Sequence, residues 1–329
     1  MIDRIYIESD VRDHPRTQEV LARFPDATRI ACERYGEVFN RSAQNFRLQK
    51  RRPALILARK FDNFVLETPA GYGIGHEKNY YFSHMLNCLY DCRYCFLQGM
   101  FKSANYVLFV NFEEFEDAIR QQAARDAGTP ATYFSGYDCD SMVFESITGF
   151  ARQFVPLFAE LPTAQLELRT KSVQTKLFQE LEPTANVVVA ASLTPADVAA
   201  QLDHAAPPVA ARIKALARIA ERGWRVGLRF DPLIYTEDFE QQYRQLVDEV
   251  FAQVPVEAVH SASWGPLRYP RGMLDRIVRL YPHERLFAGA LQGGQATGSY
   301  PPDVEERLVA FVRGLLAERL SPACLCPCG

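Results

Sequence analysis

The sequence predicts an α/β fold built on a parallel sheet, and three observations predict it. Short strand-like apolar runs alternate with segments of helical period over much of the chain, a pattern that lays parallel strands side by side. About six such βα units follow a βαβ-like start, fewer than the eight of a closed barrel. A length of 329 residues with 48% hydrophobic content allows one large domain or two modest ones, with a substantial core.

In chain order, Arg4-Ile5-Tyr6-Ile7-Glu8 alternates like a strand, 15–24 has helical period after His14-Pro15, and Thr28–Cys32 returns to strand character. This start is expected to form an N-terminal α/β extension over 1–75. Leu48 to Pro53 reads as a basic turn before the strand Ala54–Ala58, and Arg59-Lys60 follows. Those cations suit either a solvated strand edge or a phosphate contact. Gly71-Tyr72-Gly73-Ile74-Gly75 leads into no helix with a phosphate-loop Lys-Ser/Thr, so it is read as a turn.

Tyr80–Ser83 reads as a strand entering a cysteine loop, Tyr106–Val110 as the next strand, and 112–126 as a helix. Strands are expected at Ala131–Ser135, Leu166–Thr170, Val187–Ala191, Arg225–Phe230 and Ala258–Ala262, with helices at 145–160, 172–181 and 208–222. The main unit is expected over 76–315, with a cysteine-containing tail over 316–329.

A formal charge of −3 and a pI near 6.1 argue against a protein that coats nucleic acid non-specifically, while leaving room for a local basic groove. No run of eighteen apolar residues occurs, and Met1-Ile2-Asp3-Arg4 lacks the layout of a signal peptide, so no membrane association and a cytoplasmic location are expected. Six of the eight cysteines cluster at 88–95 and 324–328, which suits metal binding in a reducing compartment better than disulfides. Cys32 and Cys139 stand alone.

The chemistry concentrates in Asn87-Cys88-Leu89-Tyr90-Asp91-Cys92-Arg93-Tyr94-Cys95-Phe96-Leu97-Gln98-Gly99, a CxxxCxxC motif with an aromatic residue after the third cysteine. Three thiolates can hold three irons of a four-iron cluster and leave the fourth open to a small chelating molecule, whereas an electron-carrying cluster normally has four cysteines. Zinc with His84 as a fourth ligand, or three buried thiols, are the alternatives.

This motif resembles the cluster motif of radical S-adenosylmethionine enzymes, and Tyr94-Cys95-Phe96-Leu97-Gln98 is similar to the spore photoproduct lyase family, which repairs a UV-made thymine dimer in DNA. The resemblance implies a partial parallel (β/α)6 barrel with its cluster loop at the C-terminal rim of the first barrel strand. It implies a 4Fe–4S cluster on Cys88, Cys92 and Cys95, S-adenosylmethionine on the open iron, and a 5′-deoxyadenosyl radical. UV-damaged DNA and a flavodoxin- or ferredoxin-type electron donor are the implied partners.

Residue by residue, Asp140 and Thr148 match the family pattern after the second barrel strand, which ends Ser135-Gly136-Tyr137-Asp138-Cys139-Asp140-Ser141; Ser135, Gly136 and Asp140 are expected at the cosubstrate. Tyr137 fills the slot of the family cysteine that returns a hydrogen atom, and Cys139 falls two residues later. In an extended segment the two would point the same way, making Cys139 a candidate donor; a small buried residue is the alternative. Phe96 replaces a family tyrosine in the hydrogen relay and has no O–H to give. Tyr94 matches the residue expected near the adenine and is the second catalytic candidate.

Lys171 matches a lysine expected to pair with the methionine carboxylate, and as a cation at a helix start it would be poorly placed for a purely structural role. Ser192 resembles a cosubstrate contact and also reads as an N-cap. Tyr137, Arg229, Asp231 and Arg268 are expected to face substrate, with Ser261, Ser263, Trp264 and Arg271 nearby; His260 is expected to pack in the sheet. The tail Cys324-Leu325-Cys326-Pro327-Cys328 suits either a second metal site or a buried closing strand. A same-branch enzyme with a non-DNA substrate, and a non-catalytic iron–sulfur or zinc protein, are the alternative functions.

Overall fold

The computed structural model describes residues 2–270, 272–289, 291–293 and 297–328; Arg271 lies outside the described residues. The N-terminal segment forms β1 (Arg4–Glu8), α1 (Pro15–Ala22) and β2 (Thr28–Cys32), with β2 parallel to β1 in the register Arg4 to Thr28. Pro15 opens α1, where a missing N–H costs nothing, and the His14 ring accepts the Arg16 N–H. The expected basic turn is instead a short helix, α2 (Phe46–Arg51), capped by the Asn45 side chain accepting from Leu48 N at 3.0 Å. It leads into β3 (Leu55–Ala58), parallel to β1.

Next come β4 (Leu66–Glu67), β5 (Lys78–Tyr81), β6 (Met85–Leu86), β7 (Asp91–Cys92), α3 (Leu97–Met100), β8 (Tyr106–Phe109) and α4 (Phe112–Arg125). Here the structure supplies a pairing that the strand pattern left open. β8 does not continue the barrel; it pairs parallel with β3, and β6 pairs antiparallel with β8, giving a five-stranded sheet β2-β1-β3-β8-β6. Strand propensity is a local signal, whereas the partner of a strand is a tertiary choice.

The remaining chain supplies β9 (Ala131–Phe134), α5 (Glu145–Thr148), α6 (Phe150–Ala159), β10 (Ala164–Thr170), α7 (Lys176–Glu180), β11 (Val187–Ser192), α8 (Ala196–Leu202), β12 (Asp203–His204), α9 (Val209–Glu221), β13 (Arg225–Leu233), α10 (Phe239–Phe251) and β14 (Val259–Pro266). After these come β15 (Tyr269–Pro270), α11 (Met273–Leu280), β16 (Gln292–Gly293), β17 (Thr297–Ser299), α12 (Pro302–Ala317) and β18 (Leu325–Pro327). The second sheet runs β18-β14-β13-β11-β10-β9-β5-β4. Its parallel core β5, β9, β10, β11, β13 and β14 is the expected partial (β/α)6 barrel.

Two expected helices are shorter, for local reasons. The helix over 145–160 is divided at Gly149, whose φ of 60° suits glycine. The helix expected from 172 begins only at Lys176, because Lys171 N donates to the Asp140 carboxylate at 2.7 Å and Ser172 N to Thr170 Oγ1 at 2.8 Å. The tail is a strand: β18 joins β14 in parallel, and Cys326 is buried.

One core joins the two sheets. Phe112, Phe150 and Phe154 pack on one another and on Phe82, with Phe82 and Phe154 stacked at 5.5 Å. Each such ring contributes about 1.5–3 kcal/mol by burial.

Candidate active site at the barrel rim

The cysteine loop begins where β5 ends. β6 carries the chain to Asn87, whose φ of 67° is a region asparagine tolerates. Its buried amide donates to Ser103 O at 2.8 Å and Asn105 O at 2.7 Å. Lys50 on α2 donates to the carbonyls of Cys88 at 3.0 Å and Tyr90 at 3.4 Å, so this cation is neither a solvated edge residue nor a phosphate contact. Cys92 pairs with Asp203 where β7 meets β12, and Cys95 N donates to Cys92 O at 3.0 Å. The loop is thus fastened at both flanks.

The three thiols share one locality. Burial pushes Cys88 up to about 12 and Cys92 and Cys95 above the ordinary thiol range, and Cys88 has Cys95 as a neighbour while Cys92 has both of the others. A metal group that coordinates three thiolates removes both penalties, so the soft donor set fits a 4Fe–4S cluster. Among the described residues no three His, Cys, Asp or Glu side chains are gathered as they would be around a single ion. Cluster ligands stand further apart than the ligands of one zinc. The zinc alternative also loses its fourth ligand, because the His84 ring is buried and lies flat on Phe150 at 3.6 Å.

Beside the loop, Lys171 Nζ donates to the Tyr94 hydroxyl at 2.8 Å and lies 3.8 Å from Asp203 Oδ1. Arg212, 1% exposed, pairs with Asp203 Oδ2 at 2.7 Å. Burial alone would raise the Asp203 carboxyl; Lys171 and Arg212 reverse this and hold it below the ordinary range. Burial opposes the Lys171 charge too, but Tyr94, Cys92 and Asp203 outweigh it and keep the ammonium protonated. Two cations against one carboxylate leave a surplus positive charge in a desolvated place, where an anion is favoured. Lys171 lies in a loop and not at a helix start, so the helix-dipole reason for singling it out does not apply.

Several expected contact residues also brace the frame. The Asp140 carboxylate accepts from Met142 N and Val143 N at 2.9 Å, Thr170 Oγ1 at 2.6 Å and Lys171 N at 2.7 Å, binding two rim loops together. Ser135 is buried, sharing a hydrogen with Ser141 Oγ at 2.8 Å and donating to Glu167 O at 2.9 Å. A side chain at Gly136 would meet Arg169 O at 3.2 Å, so glycine allows that close approach. Ser192 caps nothing: the N-cap of α8 is Pro195, and Ser192 Oγ accepts from Arg169 Nε at 3.4 Å.

Arg229 corrects the sequence reading outright. It is 1% exposed, bound to Glu167 at 2.7 Å and 3.1 Å and to Ser261, so it is a bolt inside the barrel and cannot face substrate. His260, which also touches Ser261 at 3.0 Å, packs in the sheet as expected.

Asp231 does reach the rim. Its carboxylate pairs with Arg169 and accepts from Ser263 Oγ at 3.1 Å. Nearby, Tyr137 stacks on Tyr81 at 4.6 Å, and Arg268 donates to Cys328 O at 2.7 Å. Residues 135–139 form bends and not an extended run, so Tyr137 and Cys139 diverge; the Cys139 thiol is 5% exposed and donates to Ser135 O at 3.7 Å. Sequence reasoning missed Arg169, Asp203 and Arg212 as site residues. Arg169 carried a signal, a charge at the end of a buried strand; Asp203 and Arg212 carried none.

The family model for spore photoproduct lyase matches residues 1–288. The chain belongs to the spore photoproduct lyase family. A spore photoproduct lyase from Bacillus subtilis (strain 168) is 22% identical over 291 residues, 86% of this chain and 83% of that protein. A mutant spore photoproduct lyase with bound AdoMet and dinucleoside spore photoproduct superposes with a TM-score of 0.86 at 15% identity, covering 99% of this chain and 98% of that one. Another, complexed with dinucleoside spore photoproduct, gives 0.83 at 15% identity with the same coverage. These likenesses show the fold, while the family match carries the chemistry: spore photoproduct lyases are radical S-adenosylmethionine enzymes with a 4Fe–4S cluster. No helix among the described residues is long and apolar enough to cross a membrane.

Proposed function

We propose that this chain is a radical S-adenosylmethionine lyase that repairs spore photoproduct in DNA, with Cys88, Cys92 and Cys95 holding the cluster. The observation that carries the reading is the three-thiol loop set against the buried Lys171–Tyr94–Asp203–Arg212 network, in a chain of this family. When bound, the cluster and S-adenosylmethionine supply a 5′-deoxyadenosyl radical that takes a hydrogen atom from the lesion before carbon–carbon scission. The chain's own residues orient and shield. Lys171 receives the methionine carboxylate, with Asp203 and Arg212 fixing the ammonium; Tyr94 closes the pocket beside it, and its hydroxyl lies 3.4 Å from Thr194 Oγ1. Asp140 keeps the two rim loops together, and Arg169, Asp231 and Tyr137 line the mouth that receives an extruded lesion. A flavodoxin- or ferredoxin-type protein in the cytoplasm supplies the electron.

A second reading, the same radical chemistry on another substrate, is favoured by Phe96 and Tyr137, which stand where the family resemblance expects a tyrosine and a cysteine. One anaerobic assay separates the two: reconstituted protein, dithionite, S-adenosylmethionine and dinucleoside spore photoproduct, with 5′-deoxyadenosine and repaired dinucleoside quantified by mass spectrometry. Both products are expected from the native chain and neither from Cys92→Ala. Deoxyadenosine without repair selects the second reading, and neither product from a fully clustered protein overturns the radical chemistry.

A further inference from the structure

Carbon–carbon scission leaves a carbon radical that must receive a hydrogen atom before the product departs, and this requirement rests on the functional reading above. A thiol is the natural donor, because an S–H bond breaks homolytically more readily than an alkyl C–H or a phenol O–H flanked by a cation. The loop after β9 offers Tyr137 at the mouth and Cys139 behind it. The Cys139 thiol is buried under the cysteine loop, donating to Ser135 O, with Met85 N, Cys88, Asp138 and Asp140 as its other neighbours. It does not open to the mouth.

Another thiol does. β18 lies on the open edge of β14, and Cys328, one residue beyond it, donates its N–H to Trp264 O at 2.8 Å while its carbonyl accepts from Arg268 at 2.7 Å. Gly265 makes room for it: a Cβ there would come within 2.4 Å of Cys328 O. The backbone is therefore held on two sides at the C-terminal rim of the barrel. The Cys328 side chain faces the Asp231 carboxylate and the Arg169 guanidinium, with Tyr137 as a further neighbour. Cys326, two residues earlier on the same face of β18, packs against Tyr137 and Phe134.

We infer that Cys328, delivered by the closing strand, is the hydrogen-atom donor of this chain, standing in for the cysteine whose place in the loop after β9 is taken by Tyr137. The Sγ–H bond breaks, a C–H bond forms on the product carbon, and a sulfur-centred radical remains on Cys328. An external low-molecular-weight thiol returns one hydrogen atom to that sulfur, and two such turnovers leave one external disulfide. Donation needs the protonated thiol, and burial with the Asp231 carboxylate pushes Cys328 up to about 12, so S–H persists at neutral pH.

The test uses the full reconstituted chain in deuterium oxide with an exchangeable thiol, comparing native, Cys328→Ser and Cys139→Ala proteins. The native chain is expected to give repaired dinucleoside carrying one added deuterium. Cys328→Ser should lose at least tenfold of that labelled product while still forming 5′-deoxyadenosine, and Cys139→Ala should match the native chain. In parallel, Cys324→Ser should match the native chain in labelled repair, so that the loss is specific to the thiol at the mouth and does not follow from disturbing the tail. Native-like labelled repair by Cys328→Ser, or loss of label only in Cys139→Ala, overturns the assignment alone. Absence of repair by the native chain overturns the functional reading and this assignment with it.

Discussion

Two arginine–carboxylate pairs stand within a few residues of each other on the same strands, and they do opposite jobs. Glu167 and Arg229 are each 1% exposed and saturate one another with the help of Ser261. Arg169 and Asp231, two residues further along β10 and β13, are 32% and 10% exposed and open toward the mouth. The first pair has no capacity left for a ligand; the second has. Depth along a strand, and not residue type, separates sealed charge from accessible charge in this barrel.

The largest expected effect breaks the inner pair. Glu167→Ala leaves the Arg229 guanidinium buried without its counter-ion and is expected to destabilise the fold by about 3–5 kcal/mol in urea unfolding, whereas Glu167→Leu with Arg229→Met should recover most of the loss. A recovery no better than the single variant would show the bolt to be more than charge compensation. Next, Lys171→Met removes the surplus cation beside the cysteine loop. Equilibrium binding of S-adenosylmethionine to the clustered protein should weaken by about 10–100-fold, matching the ~1.5–3 kcal/mol of a charge-assisted hydrogen bond.

Arg169→Lys tests the outer pair. It keeps the charge and loses the planar fork, so stability should change by less than about 1 kcal/mol while the Michaelis constant for the dinucleoside rises. An equally large stability loss here and in Glu167→Ala would erase the distinction between the pairs. The smallest effect is read by pH. Burial first, then Arg229 and Arg225, push His260 down to about 4. The unfolded imidazole titrates near 6.5, so as pH falls from about 6.5 to about 4 the unfolded chain gains a proton that the folded chain refuses, and stability declines. His260→Asn should flatten part of that decline in a pH series of melting curves, with His84 and His76, both lowered by burial, acting in the same direction.

What could be read from the sequence divides along the same line. The cysteine loop was legible because its chemistry lies in one local spacing, and the parallel strands because alternation is also local. Arg229 and Arg169 could not be told apart. Arg169 lies next to last in β10 and Arg229 in the middle of β13, strands buried on both faces, where no inside–outside alternation marks which side chain looks inward. The same blindness hid the pairing of β8, and it hid Asp203 and Arg212, which meet Lys171 only because α8 and α9 fold back over the cysteine loop. The divergence of Tyr137 and Cys139 was hidden differently: residue parity predicts direction only in an extended run, and this loop bends at every step.

The placement of β6 and β8 has a consequence for how such a protein can be inherited. The five-stranded sheet takes three strands from before the barrel begins and two from the middle of the cysteine loop's own stretch of chain. The two sheets are stitched, so no single crossover in a gene can add or remove the N-terminal layer as a cassette. A chain without residues 1–58 would keep β6 and β8 but leave β8 without its β3 partner and the cysteine loop without Lys50, so the layer braces the loop from outside the barrel.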